Sequence, residues 1–148
     1  MTIRHLDGDA FSVDIRQHRL FVDQRTGTGA ERGPTPVELF VASLAGCAAY
    51  YAHRYLLEQG WPDEKLTVEC DWLMRAGTPH AVGSVRLRVT TPGPIPATLR
   101  HGLLSAIDAC TVQNSIRPPL PAVSVELADG TADPISVQDI LHHQANAV

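Results

Sequence analysis

The chain has 148 residues, 44% hydrophobic and 19% charged, proportions that build one folded domain with a core and exclude a disordered chain. Its net charge of −4 argues against a general nucleic-acid binder, which needs a basic stripe for phosphate contact. Three cysteines, Cys47, Cys70 and Cys110, are too few and odd in number for a disulfide framework, and without a Cys-x-x-Cys spacing they do not suggest zinc. Charges scattered through Met1–Asp7 replace the apolar run of a secretion signal, so a cytoplasmic protein is expected. The uncharged stretch from Leu39 to Ala52 falls short of a membrane span, and no membrane partner is expected.

Alternation of Phe11, Val13 and Ile15 with Ser12, Asp14 and Arg16 predicts a first strand, and Leu20 to Asp23 a second, with Gln17-His18 as the turn between them. Arg25 to Pro34 holds three glycines and reads as a loop. Thr35-Pro36-Val37-Glu38 then has the form of a capping box with proline at the first helical position. It opens a helix expected to run to about Glu58 or Gln59, stopped by Gly60 and Pro62. Its first four turns are apolar nearly all round, which predicts a central helix surrounded by protein.

Leu66 to Arg75 alternates as a strand with Cys70 on its apolar face, and Ser84 to Thr90 alternates as its antiparallel partner after a turn near Gly77-Thr78-Pro79. From about Pro96 a second helix carries Leu99, Leu103, Ala106, Ile107 and Cys110 on one stripe. Thr111 to Ile116 reads as a short third helix, Val123 to Leu127 as a last strand, and Ile135 to Gln144 as a short helix in a C-terminal extension over residues 129–148. Two runs of strands interrupted by helices predict a single α+β domain with helices packed on antiparallel sheets.

Cys47 and Cys110 are the candidate chemical groups, each on the apolar stripe of its helix, where buried and inert thiols are common. Cys110 also stands at a helix break, where amides at the start of the next helix would stabilise a thiolate. The histidines show no His-x-x-x-His spacing and are expected to be structural or solvated.

The segment Pro34-Thr-Pro-Val-Glu-Leu-Phe-Val-Ala-Ser-Leu-Ala-Gly-Cys47, followed by Ala109-Cys110-Thr-Val-Gln-Asn-Ser-Ile116 and a closing strand, resembles the OsmC/Ohr family over about Phe11 to Leu127. The resemblance implies an intertwined homodimer with the long helix buried, and a thiol peroxidase that reduces organic hydroperoxides in oxidative-stress defence. It implies Cys47 as peroxidatic and Cys110 as resolving thiol, with a lipoylated protein or small thiol as external dithiol reductant and no metal or organic cofactor. The family's acidic residue ten positions before the first cysteine is here Val37, and Glu38 stands at nine, where the capping box also accounts for it. Arg25 falls closest to the OsmC-branch arginine, while Arg16 and Arg19 flank the hairpin where the Ohr branch keeps its own. The sequence is therefore similar to divergent OsmC-like proteins. The alternative is the same fold without turnover, binding a hydrophobic or electrophilic ligand or sensing oxidation.

Overall fold

In the computed structural model, which describes residues 1–25, 31–62, 64–127 and 135–136, the chain divides into two units, Met1–Asn114 and Ser115–Val148. The first unit opens with an antiparallel meander of β1 (Thr2–His5), β2 (Phe11–Ile15) and β3 (His18–Val22). β1 was not expected: its four residues are all exposed, so no buried face imposes an alternation that could be read. The hairpin turn falls on Arg16-Gln17 rather than Gln17-His18, because the register pairs Ile15 with His18 and Val13 with Leu20. Arg16 takes the left-handed conformation, φ 54°, that such a turn demands. On one face Asp14 receives Arg4 and, at 2.7 Å, Arg19, and Arg19 in particular holds its carboxyl below the usual range.

Between β3 and the long helix the backbone closes tightly. Asp23 donates its amide to the Pro34 carbonyl at 3.3 Å, and a Cβ on Gly33 would sit 2.0 Å from the Phe21 carbonyl oxygen. Only glycine fits that approach.

α1 (Pro36–Glu58) begins with the expected capping box: Glu38 N–H donates to Thr35 Oγ1 at 3.2 Å, and Thr35 N–H donates to Glu38 Oε2 at 2.7 Å. It ends where Gly60 takes φ 64°. Gly60 N–H then reaches the Leu57 carbonyl at 3.1 Å and Trp61 N–H the Leu56 carbonyl at 2.9 Å, a Schellman closure. The helix buries one stripe, Val41, Leu44, Ala48, Ala52 and Leu56, while Phe40, Ser43, Gly46, Tyr50 and Leu57 are exposed. Within one chain the helix expected to be surrounded by protein is thus covered on one face. Uniform apolarity says that both faces favour burial, not which face the chain itself can cover.

β4 (Thr67–Met74) and β5 (Val82–Thr90) form a two-stranded antiparallel sheet, Cys70 opposite Leu87, with a register shift at Leu73/Met74. β5 starts two residues earlier than its alternation suggested. α2 (Ala97–Asp108) packs against α1: Leu103 joins Ala52 and Leu56, with Tyr55, Trp61, Leu66, Val89, Ile95 and Ile107 around them. Full burial of a side chain such as Leu56 contributes about 1.5–3 kcal/mol. A short α3 (Thr111–Ser115) follows.

In the second unit β6 (Glu126–Leu127) pairs antiparallel with β7 (Ile135–Ser136), Leu127 opposite Ile135. The strand expected over Val123–Leu127 is confined to its last two residues. The helix expected from Ile135 is corrected at its start: β-branched Ile135 lies in an extended pair with Leu127. Its remainder, 137–144, lies outside the described residues. The mixture of helices and antiparallel sheets is the α+β class read from the sequence.

Candidate functional site

Cys47 lies in the fourth turn of α1, half-buried, and Cys110 lies just past α2, fully buried. The fold brings them together. Burial, and then hydrogen bonding to the Cys47 thiol, push the Cys110 thiol above its ordinary ionisation range. Cys110 also caps α3, because Gln113 N–H donates to its Sγ at 3.4 Å and Asn114 N–H to its carbonyl at 2.9 Å. The Gln113 and Val112 amides pull its pKa down, as expected for a sulfur at a helix start, but they are outweighed. The stabilised Cys110 thiolate expected from the helix break is thus corrected to a thiol that keeps its proton.

Residues with no sequence signature join the two helices beside the thiols. Tyr51, one turn beyond Cys47, shares a hydrogen bond with Thr111 at 3.1 Å. One turn further, Tyr55 lies over Gly102, where an added Cβ would meet its Oη at 2.1 Å. As α1 passes from Cys47 to Tyr55, α2 runs back from Cys110 to Gly102. The two helices are antiparallel, and the missing side chain at Gly102 lets them close. The only hint of this seam was the spacing of Tyr51 and Tyr55 at four and eight residues after Cys47.

Cys70 is half-buried on β4 with its Sγ 3.9 Å from the Val41 carbonyl, and burial followed by the neighbouring Asp71 charge raises its pKa. Glu38 is held at the start of α1, its carboxyl kept below the usual range by the Thr35 amide and hydroxyl and, more weakly, by the Arg25 charge. Arg25 therefore lies within electrostatic reach of Glu38, at the start of α1 and not at Cys47. Nine residues of helix, about 13 Å of axial rise, separate Glu38 from Cys47. Arg19 is committed to Asp14, and Arg16 sits exposed at the hairpin turn.

Among the described residues no cluster of three or more His, Cys, Asp or Glu side chains could hold a metal ion, and no helix is long and apolar enough to cross a membrane. The site's chemistry is that of two adjoining thiols, one reachable and one enclosed.

Comparison with known proteins identifies the fold and the family. The chain is similar to a candidate osmotic stress induced and detoxification response protein from Psychrobacter arcticus 273-4, with TM-score 0.72 and 19% identity over 80% of this chain and 88% of the other. It is similar to an OsmC-like protein from Mycoplasma pneumoniae, with TM-score 0.68 and 14% identity over 80% and 86%. An OsmC-like protein of unknown function from Vibrio cholerae shares the fold at TM-score 0.57 and 17% identity over 74% and 79%. At such identities the likeness is one of fold. No curated protein matches the sequence. The family model for OsmC-like proteins matches residues 27–125, a span that takes in α1, β4, β5 and the Cys110 junction, and the chain belongs to the OsmC-like family.

Proposed function

We propose that the protein is a thiol-dependent peroxidase that reduces organic hydroperoxides through Cys47 and Cys110. The observation that carries this is the pairing of a half-buried Cys47 with a fully buried, proton-retaining Cys110. Cys47 is the thiol a peroxide can reach, and it attacks as thiolate on the terminal peroxide oxygen. The O–O bond breaks, the alkoxide leaves as alcohol after taking a proton, and Cys47 becomes a sulfenic acid. Cys110 then displaces the hydroxyl as water to form a disulfide, which an external dithiol, a small thiol or a lipoylated protein, reduces by exchange. Arg25, whose charge reaches Glu38 at the start of α1, is the cation this reading assigns to the peroxide, and it needs the second copy of the chain to bring such a charge to Cys47.

A second copy of the chain belongs to this reading. The uncovered face of α1, with Phe40, Gly46, Tyr50 and Leu57, supports a homodimer in which the partner supplies the missing cover.

One equivalent of cumene hydroperoxide should consume two thiols per chain, and Cys47→Ser should abolish dithiol-dependent turnover while leaving the fold intact. Full turnover by Cys47→Ser overturns the proposal. Commitment of Glu38 to the helix cap, with valine one position before it, favours the second reading, a redox sensor without turnover. A single oxidation to the disulfide with no catalytic consumption of hydroperoxide in excess dithiol would establish the sensor instead.

A further inference from the structure

Two links join successive turns of α1 to the same junction after α2. One is the contact of the Cys47 and Cys110 thiols. The other is the Tyr51–Thr111 hydrogen bond at 3.1 Å, between the residue one turn beyond Cys47 and the residue directly after Cys110. The junction is also braced from its far side, where Gln113 Nε2 donates to Asp108 Oδ1 at 3.2 Å across the break between α2 and α3. No step of the peroxidase reaction consumes the tyrosine hydroxyl.

We infer that Tyr51 and Thr111 form a positioning clamp that holds Cys110 at Cys47 during oxidation and so decides whether the Cys47 sulfenic acid closes to a disulfide or is over-oxidised. The inference rests on the thiol-pair reading and adds what controls its outcome. Closure forms an S–S bond, breaks the sulfenic S–O bond, and releases the hydroxyl with the Cys110 proton as water. Over-oxidation takes a second organic hydroperoxide: its terminal oxygen passes to the Cys47 sulfur, the O–O bond breaks, and sulfinic acid and alcohol result. Closure is intramolecular, so its rate depends on the time Cys110 spends in reach of Cys47, whereas over-oxidation does not depend on Cys110. A disulfide also draws the sulfurs to about 2.05 Å, a geometry that a drifting junction forfeits. Tyr51 is a positioning residue here; it touches neither sulfur's reacting bond.

The test compares wild type with Tyr51→Phe, Thr111→Val and Thr111→Ser, all full-length. Two readouts are used: the Cys47–Cys110 disulfide equilibrium in glutathione buffers, which needs no peroxidase activity, and sulfinic acid at Cys47 by mass spectrometry during cumene hydroperoxide titration. Tyr51→Phe and Thr111→Val should each weaken the disulfide and raise the sulfinic fraction by about three- to tenfold, the effect of one lost hydrogen bond. Thr111→Ser, which keeps the hydroxyl, should behave as wild type, the double variant should be no worse than either single one, and the initial rate of Cys47 oxidation should stay within about twofold. Wild-type values of both readouts in Tyr51→Phe overturn the clamp and leave the thiol pair standing. Failure of the wild-type protein to form the disulfide at all overturns the thiol pair, and the clamp with it.

Discussion

Replacing Gly102 by alanine sets two effects of known sign against each other. In the interior of α2 the change gains about 1 kcal/mol of helix propensity. The new methyl, however, lands 2.1 Å from Tyr55 Oη, 2.6 Å from Cζ and 2.8 Å from Cε2. Carbon contacts are comfortable at about 3.5–4.0 Å, so the ring tip must retreat by more than about 1 Å. Tyr55 is packed against the Ala52, Leu56 and Leu103 cluster, and the retreat is opposed from behind. Overpacking of this kind costs about 1–3 kcal/mol, which leaves Gly102→Ala destabilising by about 1 kcal/mol. In a Tyr55→Leu background the obstruction is gone, and the same change should stabilise by about 1 kcal/mol. The double-mutant cycle therefore carries a coupling of about 2 kcal/mol. Urea unfolding at one fixed protein concentration, with m-values checked for constancy, measures all four corners. Stabilisation by Gly102→Ala in both backgrounds would refute the seam as the element that sets the α1–α2 approach.

Thr35→Ala removes the hydroxyl half of the capping box, keeps the Thr35 backbone amide on Glu38 Oε2, and should cost about 1 kcal/mol in the same assay, with the Glu38 carboxyl pKa rising only part of the way toward its ordinary value by NMR titration. Gly33→Ala, whose methyl would meet backbone rather than a yielding side chain, should destabilise by at least about 1–3 kcal/mol. Because the folded state raises the Cys110 pKa, it binds that proton more tightly than the unfolded chain. Stability should be intact below the ordinary thiol range near about 8.5 and fall as pH rises beyond it, and Cys110→Ser should flatten that part of a Tm-versus-pH curve. Arg25→Met should slow hydroperoxide consumption at least about tenfold in stopped-flow assays, while Arg16→Met leaves it unchanged; equal rates in both would remove Arg25 from the site.

What was legible in the sequence was local. The Thr35–Glu38 box and Gly60 bound α1 to within a residue, since caps are satisfied by neighbours along the chain. The stripe of Leu99, Leu103, Ala106, Ile107 and Cys110 likewise became the inward side of α2 and its junction. Features made by distant pairings were not legible. Tyr51 meets Thr111 across sixty residues, and the Gly102 gap has meaning only once Tyr55 lies over it. Cys110 shows how a correct local feature can mislead. Its place at a helix start was visible, but the enclosure and the second sulfur that reverse its ionisation come from α1.

The sulfur of Cys110 is at once a thiol and the acceptor that caps α3, and this dual employment governs how its variants should be interpreted. Alanine deletes the chemistry and uncaps the helix together, so a defect in that variant has two sources. Serine deletes the chemistry but leaves an oxygen facing the Gln113 amide, in the role for which serine is among the best residues. The serine variant is the clean control, and the difference between the two reports the part of the sulfur's contribution that is architectural.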